Sequence, residues 1–237
     1  MLNAVIHGKA GRVNVGDKTE NVSWRQLFQQ REDLLTAAFF SRFGYLSPVI
    51  QHRLLQYWFG GEGDFTTYKG MEFWPKYELQ NNDVRDFVEP DLLINFSHFD
   101  VMIEVKPPQG GDQYFEQWET EIDGYFSLEN NSKPLWFIAV GRIEIVPEEW
   151  SDKLTKNEQF NLQKIAAIKW KPIASHISKL IKSGEPHYQD HRILEDMLRA
   201  LSLYGIRGHD LYWKDLYKIK GYSGDISSLF KLWHLRI

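Results

Sequence analysis

The sequence predicts an α/β fold in which helices flank a mixed sheet, followed by a helical extension at the C-terminal end. Three observations carry this reading. Apolar residues recur at helical spacing early in the chain and again towards its end; two strand-like runs joined by a three-residue link lie near residue 97; and Leu135–Val140 is continuously apolar, as a strand buried on both faces should be. A chain of 237 residues with 43% hydrophobic and 25% charged residues can bury one sizeable core, with room for a smaller helical appendage.

Taken in order, residues 22–46 read as one long helix, with Trp24, Leu27, Phe28, Leu35, Ala38 and Phe39 at helical spacing. A second helix, 50–59, ends at the breaker Gly60-Gly61-Glu62-Gly63. Strands are expected at 71–78, 87–96 and 100–106, the last two joined by Ser97-His98-Phe99. Pro107-Pro108-Gln109-Gly110-Gly111 stops the third strand. A helix follows over 112–126, with Phe115, Trp118, Ile122 and Tyr125 on one stripe, and then the strand at 134–140. After Glu148 the pattern turns helical: Pro172 suits the first position of a helix carrying Ile173, Ile177, Leu180 and Ile181 to its end near Gly184, and Leu194, Met197, Leu198, Leu201 and Tyr204 form another stripe ended by Gly205. The expected division is a core at 1–148 and a basic, mainly helical region at 149–237.

Composition excludes several classes. The absence of cysteine rules out disulfides, thiolate zinc sites and cysteine nucleophiles. No apolar run approaches the ~20 residues of a membrane span, and the N-terminus lacks a basic start and a long apolar stretch, so a cytoplasmic setting and no membrane contact are expected. The net charge of −4 conceals an asymmetry. Residues 1–150 hold 13 Lys+Arg against 23 Asp+Glu, a balance of −10, whereas 151–237 hold 15 against 9, a balance of +6. An acidic half that holds cations and a basic half that meets phosphate is compatible with this split, as are solvated helix faces.

The chemistry centres on Asp100-Val101-Met102-Ile103-Glu104-Val105-Lys106. Strand alternation sends Val101, Ile103 and Val105 to one face and Met102, Glu104 and Lys106 to the other. Pairing this strand with its predecessor as a hairpin can bring Asp91 next to Glu104. Converging carboxylates repel unless a cation lies between them, and hard ions such as Mg²⁺ or Mn²⁺ prefer oxygen ligands of this kind. Lys106 alongside could steer or deprotonate an attacking water, or stabilise charge on a phosphate. Glu32 interrupts the apolar stripe of Phe28, Leu35 and Phe39, so a partner is expected for it: a metal-bound water, a backbone amide or an arginine.

Pro90-Asp91, then Glu104-Val105-Lys106, with a helical Glu32 before and a helix bearing Gln117 and Tyr125 after, resembles the PD-(D/E)XK nuclease superfamily over roughly residues 22–142. The resemblance implies a restriction-endonuclease-like fold and metal-dependent hydrolysis of DNA phosphodiester bonds, endonucleolytic in kind. It implies Asp91, Glu104, the Val105 carbonyl and Glu32 as ligands for Mg²⁺ or Mn²⁺, Lys106 serving the nucleophile, and Gln117 in support. The Gln-x-x-x-Tyr spacing of some branches is absent, because position 121 is Glu, and Gln113 competes with Gln117. Similar proteins act in restriction, phage defence, transposition and repair, so DNA, further subunits of such a complex and a second copy of the chain are the expected partners. The alternatives are an inactive DNA-binding or assembly module with the same fold, and a nuclease acting on RNA.

Other signals are weaker. Lys169, Trp170 and Lys171 form a candidate nucleic-acid contact, with Trp170 stacking on a base. His187 and His191 have zinc-pair spacing without a third ligand. His209-Asp210 resembles the doublet of metal phosphohydrolases, without assignable further ligands. Glu119, Glu121 and Asp123 are expected on a solvated helix face, the alternative being that one of them touches a second ion, and Gly60-Gly61-Glu62-Gly63 lacks the Lys-Ser/Thr of a phosphate loop.

Overall fold

The computed structural model describes residues 2–14, 21–79, 87–128 and 133–208. In chain order the elements are α1 (Leu2–Ile6), β1 (Arg12–Asn14), β2 (Asn21–Ser23), α2 (Trp24–Gln30), α3 (Glu32–Phe43), α4 (Pro48–Trp58), β3 (Tyr68–Phe73), β4 (Tyr77–Glu78), β5 (Phe87–Val88), β6 (Leu92–Phe96), β7 (Asp100–Val105), α5 (Phe115–Phe126), β8 (Leu135–Val140), α6 (Glu148–Thr155), β9 (Leu162–Ile168), α7 (Trp170–Ser183) and α8 (Tyr188–Leu203).

The expected α/β fold is present: a five-stranded mixed sheet of order β3-β6-β7-β8-β9 with helices on both faces. The antiparallel part, β3-β6-β7, comes from hairpin-like connections, and the parallel part, β7-β8-β9, from crossovers through α5 and α6. Alternation along β7 works as read from the sequence. Val101, Ile103 and Val105 join Leu92, Ile94, Ile138 and Val140 in a core covered by α3, α4, α7 and α8. Met102 joins Leu93, Phe137 and Ala139 in a second core under Trp118, Ile122 and Tyr125 of α5 and Leu154 of α6. Each fully buried Leu or Phe contributes roughly 1.5–3 kcal/mol.

Several expected elements are corrected. The helix over 22–46 is two helices. Ser23 and Gln26 form a reciprocal capping box that starts α2, Arg31 is extended (φ −119°, ψ 114°), and α3 begins afresh at Glu32. The strand over 71–78 breaks at Trp74, whose φ of 50° no strand tolerates, and its second half pairs with β5 in a separate small sheet. The strand over 87–96 is likewise divided, at Pro90-Asp91. After Glu148 the chain is not purely helical, because β9 forms the edge of the main sheet. β9 lies in that sheet, and α7 and α8 pack in the same core as α3 and α4, so the described part of the expected 149–237 region, through residue 208, shares the core of 1–148.

Candidate active site

The site lies where β6 begins and the parallel strands end, the edge at which open α/β sheets usually present ligands. The pairing Leu92↔Ile103 and Leu93↔Met102 makes Asp91 and Glu104 the next opposed pair, so the hairpin register alone brings their carboxyls together. Asp91 accepts the Val105 N–H at 2.8 Å through Oδ2, capping the end of β7. On the far side the Lys106 N–H donates to the Val140 carbonyl at 2.8 Å, so both neighbours hold this strand end.

Asp91, Glu104 and Lys106 are all buried. Lys106 Nζ donates to Glu104 Oε1 at 2.6 Å and lies 3.8 Å from Glu32 Oε1. Glu32 is the first residue of α3, and its side chain is 41% exposed, so the expectation that it is buried within a helical stripe is corrected: the break at Arg31 frees it from the stripe and turns it to the rim of the site. Gln117, in the first turn of α5, donates from Nε2 to Glu104 Oε1 at 2.7 Å and to Glu121 Oε1 at 2.8 Å. Gln113 is engaged elsewhere, accepting the Trp118 indole N–H at 2.8 Å, which leaves Gln117 as the glutamine among the acids.

Glu121 corrects the sequence reading most sharply. It is only 1% exposed, and its Oε2 has no hydrogen-bond partner among the described residues, whereas Glu119 and Asp123 on either side are exposed. The signal that could have found it is its spacing, one helical turn beyond Gln117.

These neighbours set the protonation balance. Burial raises the Asp91 carboxyl well above the usual range; the Glu104 charge adds to this and the Val105 amide opposes it. Burial pushes Glu104 up to about 8, with Glu121 adding and Lys106 opposing. Burial likewise pushes Glu121 up to about 8, against the Gln117 hydrogen bond. Burial alone would pull Lys106 down, but the charge and hydrogen bond of Glu104, then Glu32 and Asp91, outweigh it, so the side chain stays an ammonium at neutral pH.

Oxygen donors in excess of positive charge, together with an orphaned buried carboxylate oxygen, fit a hard divalent cation in donor type. Among the described residues no group of three or more His, Asp or Glu side chains is arranged so that it could hold a metal ion. A cation drawn to Glu104 competes with the Lys106 ammonium for the same oxygen.

The carboxyl-terminal candidates fare differently. Lys169 and Lys171 are exposed at the start of α7, Lys169 pairing with Glu144 at 2.8 Å. Trp170 is buried, and its indole N–H donates to the Lys106 carbonyl at 2.8 Å, so its expected stacking on a base is corrected. That hydrogen bond places the start of α7 against the strand carrying the acids. A Cβ at Gly141, where φ is +87°, would overlap the Lys106 carbonyl oxygen and press on the Trp170 indole, so the approach depends on glycine. His187 precedes α8, and His191 lies 3.9 Å from Glu195 with no further ligand among the described residues. His209-Asp210 lies outside the described residues, as do the other residues of the basic region beyond 208.

No protein-family model matches the chain. An uncharacterized protein of Pasteurella multocida (strain Pm70) is 28% identical over 224 residues, covering 90% of this chain and 83% of its own length. The small subunit of the heterodimeric restriction endonuclease R.BspD6I aligns with 72% of this chain and 96% of its own at 12% identity and a TM-score of 0.29. A protein of unknown function aligns with 71% of this chain and 98% of its own at 12% identity and a TM-score of 0.31. Neither structural likeness is close enough to bear on chemistry. No described helix is long and apolar enough to cross a membrane.

Proposed function

We propose that this chain is a divalent-metal-dependent nuclease of the PD-(D/E)XK type that hydrolyses DNA phosphodiester bonds endonucleolytically. The observation that carries the reading is the buried juxtaposition of Asp91, Glu104 and Lys106 at the strand ends, with Lys106 Nζ 2.6 Å from Glu104 Oε1. Asp91, Glu104 and the Val105 carbonyl would hold Mg²⁺ or Mn²⁺, with Glu32 at the rim holding the ion or its water. The ion supplies Lewis-acid polarisation of the phosphate and a more acidic bound water.

The chain's own residues supply the rest. Lys106, held as an ammonium by its acidic neighbours in the metal-free protein, would serve the phosphate or the incoming water, by charge and hydrogen bonding or by taking up the water's proton. Gln117 fixes the Glu104 carboxylate through its amide. Lys169 and Lys171, exposed at the start of the helix whose Trp170 donates to the Lys106 carbonyl, would offer positive charge to the DNA backbone.

The test is incubation with Mg²⁺ or Mn²⁺ and plasmid, linear duplex, single-stranded DNA and RNA. Nicking or linearisation of closed plasmid is expected, abolished by chelation. A mobility shift without cleavage would establish a binding module in place of an enzyme, and cleavage of RNA alone would move the substrate class.

A further inference from the structure

We infer that Trp74 is a stacking platform for a nucleobase beside the scissile phosphate, so that the favoured substrate is DNA with an unpaired base at the cleavage point. This assignment rests on the nuclease reading above and narrows its substrate class.

Trp74 continues the row that carries the acids. Phe73 opposes Leu92, Leu92 opposes Ile103, and the Trp74 N–H donates to the Asp91 carbonyl at 3.2 Å. Trp74, Asp91 and Glu104 therefore follow one another across three neighbouring strands at the same end of the sheet. Neighbouring backbones in a sheet lie about 4.8 Å apart, which puts position 74 within one nucleotide's reach of the acids.

The backbone at Trp74 is costly. Its φ of 50° is an outlier for a bulky residue, and a residue that precedes a proline, here Pro75, is driven to extended backbone instead. Glycine would turn the chain out of β3 with less strain. Nor does burial account for the indole: Trp74 is 36% exposed, and its ring meets Phe73 with centroids 5.4 Å apart, whereas Pro75 is buried. Arg142 is the other non-glycine residue with positive φ among the described residues, and it follows the end of β8 at the same end of the sheet. The two bracket the acids, and retained strain of this kind gathers at functional sites. Arg142 is engaged by Asp112 at 2.7 Å, which leaves Trp74 as the open one.

An exposed indole offers DNA a flat aromatic face. Inside a duplex both faces of each base are already stacked, so only an unpaired or displaced base can lie on it.

The experiment is binding of the full chain, with Mg²⁺, to a single-stranded oligonucleotide and to its duplex, both with phosphorothioate linkages that resist cleavage and with 2-aminopurine at successive positions. Tighter binding of the single strand is expected, with 2-aminopurine emission quenched. Trp74→Ala should weaken single-strand binding at least about fivefold and remove the quenching, with the duplex much less affected, and Trp74→Phe should restore most of both. Wild type that shows no quenching at any position overturns the inference, even if Trp74→Ala fails to fold. So does a Trp74→Ala protein that binds the single strand as tightly as wild type, or that loses single strand and duplex equally. In each of these cases plasmid cleavage by the wild type leaves the nuclease reading standing. A wild type that neither binds nor cuts DNA removes that reading itself, and the inference with it.

Discussion

Asp100 and Glu104 lie on the same strand, face the same way and are both buried, yet they sit in opposite electrostatic circumstances. Asp100 is fully matched: Lys133 Nζ donates at 2.6 Å, the Tyr125 hydroxyl at 2.9 Å and the Phe96 N–H at 3.3 Å. Glu104 has Lys106 and Gln117 for donors but shares them with Glu32 and Glu121, and Asp91 adds further negative charge. Burial of a carboxylate alone therefore does not set Glu104 apart from Asp100. The excess of acid over donors around it does.

The sharpest break in this comparison comes from truncation. Asp91→Ala, Glu104→Ala and Lys106→Ala should each reduce plasmid cleavage by at least about 10²–10³-fold while circular dichroism and Tm report a folded protein. Asp100→Ala should do the reverse, lowering stability by about 2–4 kcal/mol in denaturant titration because Lys133 and Tyr125 lose their acceptor, with the folded fraction still cleaving. Equal loss of cleavage from both ends of the strand would erase the distinction.

A smaller effect concerns pH. Glu104 and Glu121 are both raised to about 8 by burial, so the folded, metal-free protein binds more protons than the unfolded chain between about 4.5 and 8. Its stability should then fall as pH rises through that window, by roughly 5 °C in Tm between pH 6 and 8 in chelator. Glu104→Gln should flatten the decline, and Mn²⁺ at pH 8 should raise Tm by binding the folded form alone. A metal-free Tm that climbs across the same interval would show that the acids are matched after all.

The smallest effect is on the basic side. Replacing Lys169 and Lys171 by alanine should weaken DNA binding several-fold and reduce the salt slope by about 0.9 for each phosphate left without its lysine, with cleavage at saturating DNA little changed. An unchanged slope would take these lysines out of the DNA footprint.

The sequence disclosed the pairing of the two strands as a hairpin, the alternation on β7 and the stop at Pro107-Pro108, because period-two patterning and turn residues are local signals. What it concealed depends on tertiary packing. The break at Arg31 uses neither glycine nor proline and leaves the apolar spacing unbroken, so two helices read as one. β9, Leu-Gln-Lys-Ile-Ala-Ala-Ile, lacks alternation and is a strand because β8 offers it a parallel partner. Flanking charges made Trp170 look exposed and Glu121 look solvated, whereas packing against β7 buries both.

The glycine at 141 has a mechanical meaning. With no methyl to hold them apart, the end of β8, the indole of Trp170 and the Lys106 carbonyl close into one rigid joint. The strand end that carries the acids is thereby tied to α7 through the Trp170 indole. A displacement of the basic start of that helix would stretch the hydrogen bond to the peptide group of the lysine facing the acids.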